Sequence, residues 1–292
     1  MKFQFFSFLL LIHCTNKQAS ENKEPIPETI TSQNINLTTY LDSLHHLLFV
    51  PASSLHALEI FRDHFNKHDP YQNDNAFNAY LEYQAILIDT LNNQLVNRPD
   101  YEKINSLIWA DASQHEPEAL QYEQQLNQYG LVLQSTEGFI YIDRSTGPIR
   151  AYFFNHLSPS TKEFYDQFEM EKNQNLSEDG MLLISPRQLA ERLAFWENFL
   201  MKYPDHLFAE FAKNNTEDYL RYLMDGMDNT PAFEFETKNL YPEFLNAYQY
   251  LKQHHPSLVS TSVINEYVLL LKKQNYQRTE VVVHFINQHS PH

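Results

Sequence analysis

Cysteine occurs once in 292 residues, glycine five times and tryptophan twice. A single thiol excludes a disulfide-stapled fold and any C-x-x-C metal or redox motif. So few glycines argue against a β-barrel, a Rossmann sheet or a phosphate-cradling loop, all of which need glycine at special backbone positions. The G-x-G-x-x-G, Walker, G-x-S-x-G and H-E-x-x-H signatures are absent. The sequence therefore calls for no cofactor and names no catalytic residue, and it weighs against an enzyme without excluding carboxylate chemistry. Cations are scarce: 21 Lys and Arg face 37 Asp and Glu, a net charge of −16. Nucleic acid is excluded as a partner, because a phosphate backbone demands a cationic face. No apolar run is long enough to span a bilayer.

What the chain has is aromatic bulk, with 18 Tyr and 21 Phe, arranged at helical spacing. Leu189, Leu193, Trp196, Leu200 and Tyr203 fall on one stripe, which Phe195 and Phe199 widen. Ser185-Pro186 with Gln188 reads as a capping box opening this helix, and Ser158-Pro159 repeats the device. Phe77, Leu81, Ile88, Leu91 and Leu95 mark a long helix upstream. Shorter ones are expected over Thr38–Phe49, Ser54–His68, Tyr101–Ala110, Pro117–Tyr129, Pro242–His254, Leu258–Lys273 and Thr279–Gln288. Asn215 or Thr216 is placed to cap a helix carrying Tyr219, Tyr222 and Leu223, and Gly226 to end it. Leu131-Val132-Leu133 and Phe139-Ile140-Tyr141-Ile142 flank Ser135-Thr136-Glu137-Gly138, the pattern of a small β-hairpin. The expected fold class is mainly α: an irregular helical-hairpin bundle or solenoid with one small β-hairpin.

The first fourteen residues are of another kind. Lys2 precedes the apolar run Phe3 to Ile12, of signal-peptide length, and Cys14 follows it. Leu11-Ile12-His13-Cys14 resembles the lipobox of bacterial envelope lipoproteins, with His13 standing where that family places Gly, Ala or Ser. The resemblance implies cleavage before Cys14, acylation of its thiol and a membrane anchor of fatty chains. Thr15, rather than Asp, follows the cysteine, which in that family implies an outer-membrane address. Thr15–Ile35 is polar, carries Pro25 and Pro27, and reads as a flexible tether. The expected organisation is a signal peptide over 1–13, a lipidated tether over 14–35, an N-terminal helical part over 36–130, and a hairpin with a repeat-like helical part over 131–292.

Two segments coincide when aligned on proline. Trp196, Phe199, Leu207, Phe211 and Ala212 hold the same offsets from Pro204 as Tyr248, Leu251, Val259, Val263 and Ile264 hold from Pro256. A helix ends before each proline, the chain turns, and a second helix returns. The arrangement resembles degenerate tetratricopeptide-like hairpins, although the copies lie 52 residues apart and lack that family's glycine.

Candidate sites are few. His56, His64 and His68, with Asp63 and Asp69 beside them, offer metal-ligand types at helical spacing; the alternative is a solvated helix face. The oxygen-rich Asp225–Pro231 segment with Glu234 and Glu236 suits calcium or a helix cap followed by a turn. Trp109, Tyr141, Tyr152, Phe153 and Phe154 are candidates for a ligand-binding aromatic surface, or for core. The resulting expectation is a lipid-anchored envelope protein whose helical body binds a protein or peptide partner, the membrane being reached through Cys14. Glycan or small-ligand capture and carboxylate-dependent hydrolysis are the alternatives.

Overall fold

The computed structural model describes residues 32–64 and 69–289. The expected signal peptide, Cys14 and the tether as far as residue 31 lie outside them. The fold is mainly α, with twelve helices and three small antiparallel strand pairs among the described residues. The chain divides into two compact units, one ending at Lys162 and the other spanning Glu163–His292.

The first unit contains α1 (Ser32–His45), α2 (Ala52–His64), α3 (Pro70–Val96), α4 (Tyr101–Asn105), α5 (Pro117–Gln128), β1 (Leu131–Thr136), β2 (Phe139–Arg144) and α6 (Thr146–Phe153). The first of these begins inside the stretch read as tether. Asp69 caps α3, accepting from the Tyr71 amide at 3.2 Å, with Pro70 at the first helical position. The buried stripe of α3 runs through Phe77, Leu81, Leu87, Leu91 and Leu95. An aromatic knot closes the core. The Phe153 ring lies 3.9 Å from that of Phe61 and 5.1 Å from those of Phe77 and Tyr80.

The hairpin pairs Leu133 with Ile142 and Ser135 with Ile140. It belongs to this unit, so the boundary expected at 130/131 is corrected to 162/163. The reason is burial: Leu131, Ile140 and Ile142 turn one face of the hairpin into the core, and two strand residues are bonded to asparagines of α3 and α4.

The boundary falls within α7 (Pro159–Asn173). The second unit goes on through β3 (Ser177–Glu178), β4 (Met181–Leu182), α8 (Pro186–Lys202), α9 (Ala209–Asp225), β5 (Gly226–Met227), β6 (Thr230–Pro231), α10 (Pro242–His254), α11 (Val259–Lys273) and α12 (Glu280–His289). Ser185 and Gln188 form the expected capping box at the start of α8. That helix packs on α9 and α10, with Leu189, Leu193, Trp196 and Phe199 buried. Phe164 of α7 lies 5.7 Å from Trp196 and 4.1 Å from Phe208.

Long-range polar bonds satisfy the ends of these helices. The last turn of α9 leaves carbonyls without intrahelical donors. The buried hydroxyls of Tyr248 and Tyr267 donate to two of them, Leu223 O at 2.8 Å and Met224 O at 2.9 Å. Burial pushes both phenols well above their ordinary range. At the start of α11 the orphan groups are amides. The Glu197 carboxylate accepts from Val259 N at 2.5 Å, from Ser260 N at 3.2 Å and from the Ser260 hydroxyl. A negative charge there also meets the positive end of the helix dipole.

The two proline turns share their geometry. Tyr203 before Pro204 has φ −136° and ψ 63°, and His255 before Pro256 has φ −135° and ψ 51°. Each amide donates back four residues at 2.8 Å, to Phe199 and to Leu251. Burial follows the same register. The positions eight and five before the proline and eight after it are buried in both copies. The position three after it is exposed in both, 41% at Leu207 and 73% at Val259.

Two local expectations are corrected. Asn215 and Thr216 do not cap a helix; α9 starts at Ala209, and both side chains bond back to carbonyls four residues earlier, Asn215 to Phe211 at 3.0 Å and Thr216 to Ala212 at 2.8 Å. The helix α6 is absent from the expectations, because Thr146-Gly147-Pro148 offers no strong cap.

Gly226 does end α9, with φ 79° and ψ −159°, a region open essentially to glycine alone. A Cβ there would stand 2.3 Å from Ala232 N and 2.4 Å from Thr230 O. We therefore expect Gly226→Ala to destabilise the second unit by on the order of 3 kcal/mol through backbone strain, read as a lowered denaturation midpoint. An unchanged midpoint would refute the assigned backbone geometry.

Candidate functional site

The metal candidates do not assemble among the described residues, where no group of three or more His, Cys, Asp or Glu is placed to hold an ion. His68 and the side chain of His64 lie outside the description. His56 is exposed on α2, at the rim of a shallow groove of 510 Å³ formed with Leu48, Val50, Leu55 and Tyr129. The flanking acids have other tasks: Asp63 pairs with Arg62 at 2.8 Å, and Asp69 caps α3. In the oxygen-rich segment, Asp225 pairs with Arg278 at 2.9 Å.

The aromatic candidates separate. Phe153 is core, as the ring knot shows. Phe154 lies under Arg150 at 4.1 Å and Lys162 at 5.8 Å. Tyr152 is half-buried on α6 with the Arg62 guanidinium 5.7 Å from its ring. Trp109 is 68% exposed. Tyr141 is half-buried on β2. Trp109, Tyr141 and Tyr152 thus stand on different segments in different environments.

The surface around Tyr141 has a definite construction. Because strand side chains alternate, Ile140 and Ile142 face the core while Phe139, Tyr141 and Asp143 face outward. Cross-strand pairing sets Val132, Gln134 and Thr136 beside them. The two edges differ. On β2, the Asn92 side chain both donates to Ile142 O at 2.9 Å and accepts from Ile142 N at 2.7 Å. Asn105 does the same more loosely, donating to Gly138 O at 3.2 Å and accepting from Ile140 N at 2.9 Å. Two carboxamides therefore stand in for a third strand. On β1, the pairing pattern turns the amides and carbonyls of Leu133 and Ser135 away from β2, because each lies opposite a residue bonded outward. No group of the described residues bonds these four.

A second arrangement, missed in the sequence, is a polar cluster in the second unit. Glu171 of α7 accepts from Trp196 Nε1 at 2.8 Å, from Gln167 Nε2 at 2.5 Å and from the Tyr219 hydroxyl. Arg192 Nη1 stands 3.9 Å away. The Arg192 side chain is 3% exposed, and its Nη2 donates to Gln174 O at 2.6 Å. Burial raises the Glu171 carboxyl above its ordinary value, against the four opposing influences of Tyr219, Gln167, Arg192 and Trp196. Burial and the neighbouring carboxylate push the Tyr219 phenol up as well. The partners of Glu171 are donors and a cation; among the described residues no second carboxylate faces it, as paired acid–base hydrolysis would need. The cluster ties α7, α8 and α9 together.

The linkage has a definite sign. A carboxyl raised on folding binds its proton more readily in the native state, so stability falls as pH rises from the ordinary carboxylate range through the raised value. Tyr219→Phe removes a donor from the ionised form. We expect a loss of about 1–3 kcal/mol at neutral pH, as for an unsatisfied buried acceptor, shrinking once acid protonates Glu171. Denaturant titrations of both forms at pH 4 and pH 7 check this, and a loss independent of pH contradicts it.

No family model, curated protein or solved structure matches this chain.

Proposed function

We propose that this protein is a bacterial envelope lipoprotein, tethered through acylated Cys14, whose helical body binds a protein or peptide partner. The observation that carries the anchoring half is the position of the only cysteine, directly behind the apolar run ending at Ile12. The binding half is supported by large apolar side chains held in solvent on both units: Leu48 is 73% exposed, Trp109 68% and Phe235 83%. Helical hairpins such as α8–α9 and α10–α11 offer surfaces of the kind that tetratricopeptide-like proteins use for recognition. The net charge of −16 favours a partner with a basic face.

The test labels cells with an alkynyl fatty acid and determines the intact mass of the purified chain. Wild type is expected to incorporate label and to begin at Cys14, whereas Cys14→Ser incorporates none. An unlabelled wild-type chain that retains Met1 would overturn the anchoring. Affinity purification from detergent-solubilised envelopes at low salt addresses the other half, and failure to recover a reproducible partner would count against it.

A further inference from the structure

We infer that the outer edge of β1 receives an extended, positively charged peptide segment of a partner protein as an added strand. This deepens the binding half of the proposed function and rests on it. The observation is the asymmetry of the hairpin. One edge is closed by Asn92 and Asn105, whose carboxamides copy the donor and acceptor of a neighbouring strand. The other edge presents the amides and carbonyls of Leu133 and Ser135, two residues apart, without a partner among the described residues.

The chemistry that satisfies such a row is another extended backbone, offering donors and acceptors at the same period. α5 packs on β1, yet Ser135 and its neighbour Gln134 are exposed and Leu133 is only half-buried, so the edge is open at its Ser135 end. An added strand would lay its outward side chains beside Gln134 and Val132, next to Tyr141 and Phe139 on the strand beyond. Cross-strand and diagonal contacts with such rings stabilise a pairing.

Charge selects the occupant. From residue 116 to 139 the chain carries Glu116, Glu118, Glu123 and Glu137 and no lysine or arginine. Glu116 is paired with Lys103 at 3.6 Å, which leaves Glu137 in the hairpin turn and Glu118 and Glu123 on α5, the helix packed on β1. A second copy pairing edge to edge would bring the two Glu137 turns onto like-charged neighbours, and like charges across a sheet are destabilising. A lysine- or arginine-bearing segment meets these carboxylates with complementary charge.

The experiment measures amide hydrogen exchange of the full chain with two capped heptapeptides, one alternating lysine with valine and one alternating glutamate with valine. The lysine peptide is expected to slow exchange at Leu133 and Ser135 about tenfold, by giving open amides a partner. Val132 and Gln134, already bonded across the hairpin, should not change, and the glutamate peptide should have no effect. Ser135→Pro removes one outward amide and leaves the bonds to β2 in place, as proline is tolerated on sheet edges. It should weaken the lysine peptide about tenfold.

Unchanged exchange at Leu133 and Ser135 with the lysine peptide overturns the inference. So does equal binding of the glutamate peptide, or equal binding by Ser135→Pro. Slowing that grows with protein concentration in the absence of peptide also overturns it, in favour of a second copy. Should Ser135→Pro disrupt the hairpin, seen as faster exchange at Val132 and Gln134, the wild-type comparison of the two peptides decides alone. A cellular partner captured equally by Ser135→Pro and wild type would leave the binding function standing while this surface falls.

Discussion

The burial of α8 is the constraint from which much of the second unit follows. A helix covered over most of its circumference cannot leave polar side chains in water, and Arg192, Trp196 and Glu197 all lie on its buried faces. Each must find its partner inside the protein. Arg192 turns to Gln174, the residue just after α7, and Trp196 to Glu171 within it. Glu197 turns to α11, whose first amides need acceptors. The same logic runs in reverse at the end of α9, where bare carbonyls draw the hydroxyls of Tyr248 and Tyr267. Apolar packing, aromatic and aliphatic, fills the core, but it is non-directional. These polar bonds fix which helix end meets which side chain, and therefore the register of α7, α9, α10 and α11 on α8.

The first unit applies this rule to a sheet. A two-stranded hairpin is marginal alone, and it gains stability here by burying Ile140 and Ile142 on one face. Burial creates a problem on β2, whose outward amides would be desolvated without partners. Asn92 and Asn105 solve it with side chains able to donate and accept at once. Among the described residues no such side chain serves β1, where Gln134 and Ser135 keep contact with solvent. The difference between the edges thus has a physical origin: the buried edge had to be closed, and the solvated edge remains free to pair.

Much of this fold was legible from neighbouring residues alone. The capping box at Ser185, the helix over Pro242–His254, the stop at Gly226, the hairpin strands and the two proline turns are each written within a few positions. What escaped was written elsewhere. The start of α9 carries no side-chain cap, so Asn215 and Thr216, good capping types, drew the boundary into the helix. The hairpin's place in the first unit is not legible locally, because its anchors, Asn92 and Asn105, lie 50 and 35 residues from their strand partners. The same distance hid the site features. Tyr141 could be named as a surface aromatic from its alternation, but the open edge beside it depends on which backbone groups other segments cover. Phe153 could not be told from a surface aromatic without α6 to carry it into the core.

The repeated proline turn shows how far a short signal reaches. Proline excludes the preceding residue from the α region, and Tyr203 and His255 take nearly the same φ and ψ. The next helix begins five residues after the proline in one copy, at Ala209, and three after it in the other, at Val259, yet the burial register is kept. Side chains at equal offsets then meet equal environments, even where the residues differ as much as Trp196 and Tyr248. The position three after the proline is exposed in both copies for this reason, whatever its hydrophobicity, which is how Val259 comes to stand in solvent. Val259 therefore adds little to the core, while Leu207, 41% exposed, remains partly covered. The register of burial thus follows from the turn and the helices it joins, and the side chain at each offset only fills the environment that register provides.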